Sequence, residues 1–105
     1  MKAAMYYKGE KYMKIEDVPT PEPGPGEVLV KVAACGVCHT DLHYLDHGTP
    51  TFIEPPLILC HQISGTVVAL GPGAKGFADG DTLLIPAVLS CGQRPACRLG
   101  RVHIC

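Results

Sequence analysis

The chain has 105 residues, room for one domain with a modest core and little for a second. Apolar residues make up 47% and charged residues 18%, a globular rather than a disordered composition. The formal net charge is −1 with Lys and Arg scattered, no apolar run reaches the roughly 20 residues of a membrane span, and no secretory h-region follows Met1. Nucleic acid and membrane are therefore not expected as partners, and a cytoplasmic location is the default expectation.

Ten prolines and twelve glycines punctuate the chain and favour short strands and turns. Lys2 to Lys8 reads as a strand. Tyr12 to Val18 alternates imperfectly, with Tyr12, Lys14 and Glu16 on one face and Met13, Ile15 and Asp17 on the other. Pro19, Pro21, Pro23 and Pro25 make the next segment an extended loop, because proline cannot pair inside a sheet. Glu27 to Ala34 is rich in β-formers and reads as a strand. Thr40 to His47 is expected to be a short helix, with Thr40 as N-cap, Asp41 near its N-terminus and Gly48-Thr49-Pro50 as its stop. Ile63 to Leu70 and Thr82 to Leu89 read as further strands, with turns at Gly71-Pro72-Gly73 and Gly80-Asp81. Ser90 to Cys105 has little periodicity, and its regular feature is cysteine spacing. Several short strands at close intervals predict a mainly β fold, a small barrel or sandwich.

Six cysteines in a reducing compartment point to metal ligands or a reactive thiol rather than to disulfides. Cys38 stands where a strand gives way to a helix, a position whose backbone amides favour a thiolate. Cys35 and Cys38 form C-x-x-C, which in isolation fits a redox motif or half a zinc knuckle. No second C-x-x-C follows at finger spacing, so the favoured reading of Cys35 is a small buried hydrophobe. His61, in Cys60-His61-Gln62, is a candidate second ligand, although a lone histidine is more often a satisfied core or surface residue. Cys91, Cys97 and Cys105 lie within fifteen residues and suggest a structural metal site. Such a site normally takes four protein ligands, and His103 is an alternative fourth.

The segments PTPEPGPGEVLVKVAACGVCHTDLHYLDHG, PPLILCHQISGTVVALGPGAKGFADGDTLLIP and SCGQRPACRLGRVHIC, in this order and spacing, resemble the zinc-dependent medium-chain alcohol dehydrogenases over essentially the whole chain. The resemblance is to their N-terminal catalytic domain. It implies a GroES-like small β-barrel over residues 1–105, with one or two short helices and an irregular cysteine-containing lobe. It implies zinc as cofactor, with Cys38 and His61 as two ligands of the catalytic ion and Cys91, Cys97 and Cys105 as three ligands of the structural lobe. Thr40 matches the hydroxyl that receives the alcohol proton, and His43 the histidine that passes it toward solvent. Asp41 matches a carboxylate that orients the ligating histidine, in line with the rule that such an imidazole donates its other N–H. His39 matches a position facing the cofactor pyrophosphate. The family's substrate is a small alcohol or aldehyde, and its second cofactor is NAD(P).

The sequence departs from that pattern. It ends at Cys105 and shows no dinucleotide-binding βαβ fingerprint, since the glycines of Gly71-Pro72-Gly73-Ala74-Lys75-Gly76 mark a turn, so the expectation is a truncated domain, lacking the nicotinamide-binding domain and inactive or nearly so in hydride transfer by itself. NAD(P) is expected only where a nicotinamide-binding domain is supplied. The family's Gly-His-Glu reads Cys60-His61-Gln62: Gln62 takes the place of a carboxylate near the zinc, and Cys60 that of a glycine. Cys60 is an unfavoured ligand candidate, because neighbouring side chains of an extended segment point to opposite faces. Arg94 stands where the second of four lobe cysteines is expected and should weaken that site; His47 has no assigned role. An apolar surface left by a missing domain predicts self-association. The competing readings are a metal-free β-barrel scaffold or interaction module and, less favoured, a weak zinc hydrolase, since an incomplete site leaves zinc positions open to water.

Overall fold

Strand pairing accounts for most of the ordered structure of the computed structural model, which describes residues 1–105. The chain runs β1 (Lys2–Tyr6), β2 (Lys14–Asp17), β3 (Val28–Cys35), α1 (His39–His47), β4 (Leu57–Ile58), β5 (Ile63–Leu70), β6 (Thr82–Ile85) and α2 (Pro95–Arg98), then a single 3-10 turn at Val102–Ile104. The strands form two three-stranded antiparallel sheets, ordered β2-β1-β4 and β3-β5-β6. The fold is mainly β with two short helices, as expected, and its sheets are open. No helix is long and apolar enough to cross a membrane.

β3 and β5 form the longest ladder, from Val28↔Leu70 to Cys35↔Ile63, with irregularities after Leu29 and Val32. Both are rich in β-branched residues, which pack well on a pleated surface. Central strand β5 carries Val67, fully buried, while β1 carries Tyr6, only 2% exposed. The Tyr6 hydroxyl donates to the Tyr44 carbonyl at 3.0 Å and so ties the first sheet to α1. Behind the ladder, Gly71 packs directly on the Gly24 carbonyl, where a Cβ would collide with backbone. The Gly71 amide also donates to Glu27 at 2.8 Å, pinning the proline-rich loop to the end of β5.

Several strands are shorter than the sequence pattern predicts, for local reasons. β1 stops at Tyr6 because Tyr7 to Glu10 forms a turn closed by a 3.1 Å hydrogen bond. β2 starts at Lys14 and lies on a sheet edge, where Ile15 remains exposed. β6 ends at Ile85 rather than Leu89, because Pro86 has no N–H to continue the ladder with Ile63.

Helix α1 matches its expected span, but its N-cap is Cys38 rather than Thr40. Cys38 is extended (φ −106°, ψ 161°), and its backbone N–H donates to Oδ2 of Asp41 at 2.8 Å. This is the carboxylate half of a capping box, with the acidic group against the positive end of the helix. At the other end, Gly48 adopts the left-handed conformation (φ 60°) and returns its N–H to the His43 carbonyl.

Candidate functional site

The β3–β5 ladder brings together two segments far apart in sequence. Beyond Cys35, the Gly36 amide donates to the Gln62 carbonyl at 2.8 Å and extends the pairing by one step. From there the chain enters α1 through Cys38, while the opposite segment carries His61. Cys38 and His61 are thereby placed side by side. The Thr40 backbone amide, then the Thr40 hydroxyl and the His61 imidazole, stabilise the Cys38 thiolate and hold its pKa below the usual thiol value. Cys38 Sγ lies 3.7 Å from Thr40 Oγ1. A thiolate and an imidazole at one point are zinc ligands in type, and two positions of a tetrahedron remain for other ligands.

Asp41 supports the Cys38 end of this pair. It is 3% exposed, and while Oδ2 accepts the Cys38 amide, the buried Oδ1 has no partner. Buried carboxylate oxygens are nearly always paired, so a free one is an acceptor in waiting. Asp41 and His61 line the same cleft, about 500 Å³, walled mainly by apolar residues such as Phe52 and Leu59. A smaller hollow of about 120 Å³ between Tyr6, Lys8, Gly48 and Pro50 holds none of the candidate residues. Gln62 is exposed, and its side-chain oxygen lies over Gly36, where a Cβ would come within 3.0 Å of it.

His39 and His43 are exposed on α1. Their rings meet edge to face at 4.8 Å, and His43 lies 5.2 Å from His47, so the three imidazoles form a column at i, i+4 spacing. That column makes His47 a neighbour of His43, a place the sequence reading did not assign to it. Thr40 precedes His43 by three residues, one helical turn, and no direct hydrogen bond joins their side chains.

The fold brings the three lobe cysteines together. The sulfurs of Cys91, Cys97 and Cys105 all lie within 4.8 Å of one another, with Cys97 buried and the others exposed. His103, on the 3-10 turn, is not a member of this cluster. Arg94 is exposed and precedes α2. The Gln93 amide and then the Arg94 amide, with a smaller contribution from the Cys105 thiol, bring Cys91 down to about 7. The Cys91 amide pulls Cys105 down, but the Cys97 and Cys91 side chains outweigh it and leave that thiol raised. Of these two thiols, Cys91 ionises before Cys105.

Two cysteines behave differently from expectation. Cys35 is exposed rather than a buried hydrophobe, and it is bridged to Cys60 rather than paired with Cys38. Cys60 has φ 122°, a region that favours glycine, in agreement with its standing in a glycine position. It is therefore joined to Cys35 and is not a metal ligand in this arrangement. The pairing depends on strand register; the available sequence signal was a second cysteine in a glycine position.

The profile of the alcohol dehydrogenase GroES-like domain matches residues 24–105. The chain is 40% identical to L-threonine 3-dehydrogenase of Pyrococcus furiosus, over all of this chain and 31% of that protein. Among solved structures, AibC superposes with a TM-score of 0.89 at 39% identity, over all of this chain and 30% of that one. The cobalt- and zinc-bound thermostable alcohol dehydrogenase of Pyrobaculum aerophilum superposes at 0.86 with 31% identity, over all of this chain and 32% of that one. The chain thus spans about a third of the length of the relatives it matches. It belongs to the alcohol dehydrogenase GroES-like domain family of zinc-dependent medium-chain dehydrogenases.

Proposed function

We propose that the chain is the zinc-site portion of an alcohol or aldehyde oxidoreductase, with Cys38 and His61 holding the metal. The observation that carries this reading is the convergence of Cys38, Thr40 and His61, with Asp41, whose buried Oδ1 is unpaired, lining the same cleft as His61. The donor set fits zinc: Cys38 offers a sulfur already disposed to ionise, and Asp41 offers an acceptor for the second imidazole N–H of His61. Bound zinc would supply Lewis-acid polarisation of an alcohol or carbonyl oxygen, and a nicotinamide held by another domain would accept the hydride.

The chain's own residues supply positioning and proton transfer. The apolar cleft beside His61 receives the carbon skeleton of a small alcohol or aldehyde. Thr40 takes the alcohol proton at Oγ1, and His43, one turn further along α1, passes it to solvent by way of water. His39, at the exposed start of the helix, faces a cofactor phosphate. Gln62, unlike a carboxylate, would bring no negative charge near a bound ion, which would be held less tightly and would polarise a substrate oxygen more strongly. Cys91, Cys97 and Cys105 would hold a second metal weakly, with only three ligands where a closed site has four.

These 105 residues alone carry out no more than trace hydride transfer, because their one G-x-G-x-x-G run, residues 71–76, leads into turns rather than into the helix N-terminus that cradles a cofactor phosphate. The location is cytoplasmic. Exposed Leu84, Val88 and Leu89 follow one another at the end of the second sheet and promote self-association, read as a concentration-dependent mass by light scattering.

Cobalt(II) titration tests the site. Thiolate-to-cobalt absorbance that is reduced in Cys38→Ser but persists in Cys91→Ser is the expected result. A spectrum unchanged by Cys38→Ser, with the chain fully folded in chelator, favours the metal-free scaffold instead.

A further inference from the structure

Cys35 and Cys60 belong neither to the Cys38–His61 pair nor to the cluster of Cys91, Cys97 and Cys105. The strand register sets them together: Cys35 pairs with Ile63 across the β3–β5 ladder, and the Gly36 amide bonds to Gln62 at 2.8 Å. The positive φ of Cys60 turns the chain just before His61 and keeps its sulfur 3.6 Å from the Gly36 carbonyl. The two Cα atoms are 6.8 Å apart, at the upper limit of the span a disulfide bridges, and the sulfurs lie within bonding distance. The other four cysteines are free, including Cys38 at C-x-x-C spacing from Cys35. Cys35 is exposed and Cys60 half-buried, so the bridge is open to small thiols.

We propose that Cys35 and Cys60 form a reversible thiol–disulfide site, closed and opened by exchange with low-molecular-weight thiols and disulfides of the glutathione class. In closing, one cysteine sulfur attacks the glutathione disulfide, forming a mixed disulfide and releasing one glutathione thiol. The second cysteine sulfur then attacks the protein-bound sulfur and releases the other. Two protein thiols lose two protons and two electrons, and one glutathione disulfide becomes two glutathione thiols. Two glutathione thiols reverse the sequence.

The closed bridge has a defined structural effect. It joins residues 25 apart and encloses all of α1, with Cys38, Thr40, Asp41 and His43, in one covalent loop. The far end of that loop is the residue before His61. Reduction leaves α1 held by non-covalent contacts, among them the Tyr6–Tyr44 hydrogen bond. The redox state of this pair therefore governs how firmly the segment bearing Cys38 is tied to the one bearing His61. The exchange itself does not require a bound metal.

The full chain is equilibrated with chelator in reduced and oxidised glutathione mixtures, quenched by alkylation and peptide-mapped without reduction. The expected result is that Cys35 and Cys60 lose alkylation together, appear as one cross-linked peptide pair lighter by two hydrogens, and recover in excess glutathione. Proteolytic cleavage between residues 36 and 59 should slow several-fold in the oxidised protein. In Cys60→Ser, and in Cys60→Gly as a second variant suited to the backbone, Cys35 should remain alkylatable or carry only glutathione. Cys35 and Cys60 that stay alkylatable at the oxidising limit, a Cys35–Cys38 bridge, or a Cys35–Cys60 bridge that glutathione cannot reduce would each overturn the proposal.

Discussion

Asp41 accepts the backbone N–H of Cys38 at 2.8 Å through one carboxylate oxygen and keeps the other buried and unpaired. One side chain thus both starts helix α1 and keeps a free acceptor at a residue that lines the same cleft as His61. Asp41→Ala leaves the Cys38 amide without its acceptor and should cost about 1–2 kcal/mol in urea unfolding. Asp41→Asn keeps an acceptor but loses the charge facing the helix N-terminus, and should cost about 0.5 kcal/mol. Both should weaken metal binding, on the order of tenfold or more for loss of an orienting carboxylate. Unchanged metal affinity in both variants would remove Asp41 from the site.

The lobe thiols titrate unequally in metal-free protein. Cys91 falls to about 7 from a reference of 9.0, so its thiolate forms as pH rises through about 7, while Cys105 is raised and ionises later. Iodoacetamide with chelator present should modify Cys91 before Cys105, with a rate rising through about pH 7. The sign for stability follows: a depressed folded pKa contributes stability above the unfolded value, and that contribution is lost as pH falls through about 7. Equal alkylation of the two thiols across this range would contradict the arrangement of amides around Cys91.

Cys60 carries two opposing effects that redox conditions separate. In reductant, Cys60→Gly should raise stability by about 1 kcal/mol, because glycine adopts the positive φ at Cys60 without a Cβ penalty. In oxidant, the wild type gains about 3 kcal/mol from closing a 25-residue span, and the order should reverse. Urea unfolding of both proteins with and without dithiothreitol measures this. The same order under both conditions would contradict it.

Long elements were legible in the sequence and short or cross-chain ones were not. The runs of β-branched residues in β3 and β5 and the Gly48 stop of α1 are local signals, and each element ends within one residue of its expected bound. β4 has two residues and α2 four, too few to show periodicity, and they take their form from neighbours such as Met5 and the lobe cysteines. Thr40 looked like the cap because hydroxyls are good N-cap acceptors; the cap lies at Cys38 because Asp41 supplies the acceptor from within the helix. Cys38 and His61 were paired through family resemblance rather than spacing. The Cys35–Cys60 bridge was missed because it follows from the register of strands brought together across the whole of α1, and an exposed cysteine and a buried one read alike in sequence.

Zinc per chain, measured by elemental analysis on protein purified without chelator, tests the central claim most directly when wild type, Cys38→Ser, His61→Ala and Cys91→Ser are compared. The account predicts zinc in the wild type that Cys38→Ser and His61→Ala lose and Cys91→Ser largely retains. A wild type without zinc, or zinc lost only in Cys91→Ser, would contradict a metal site at Cys38 and His61.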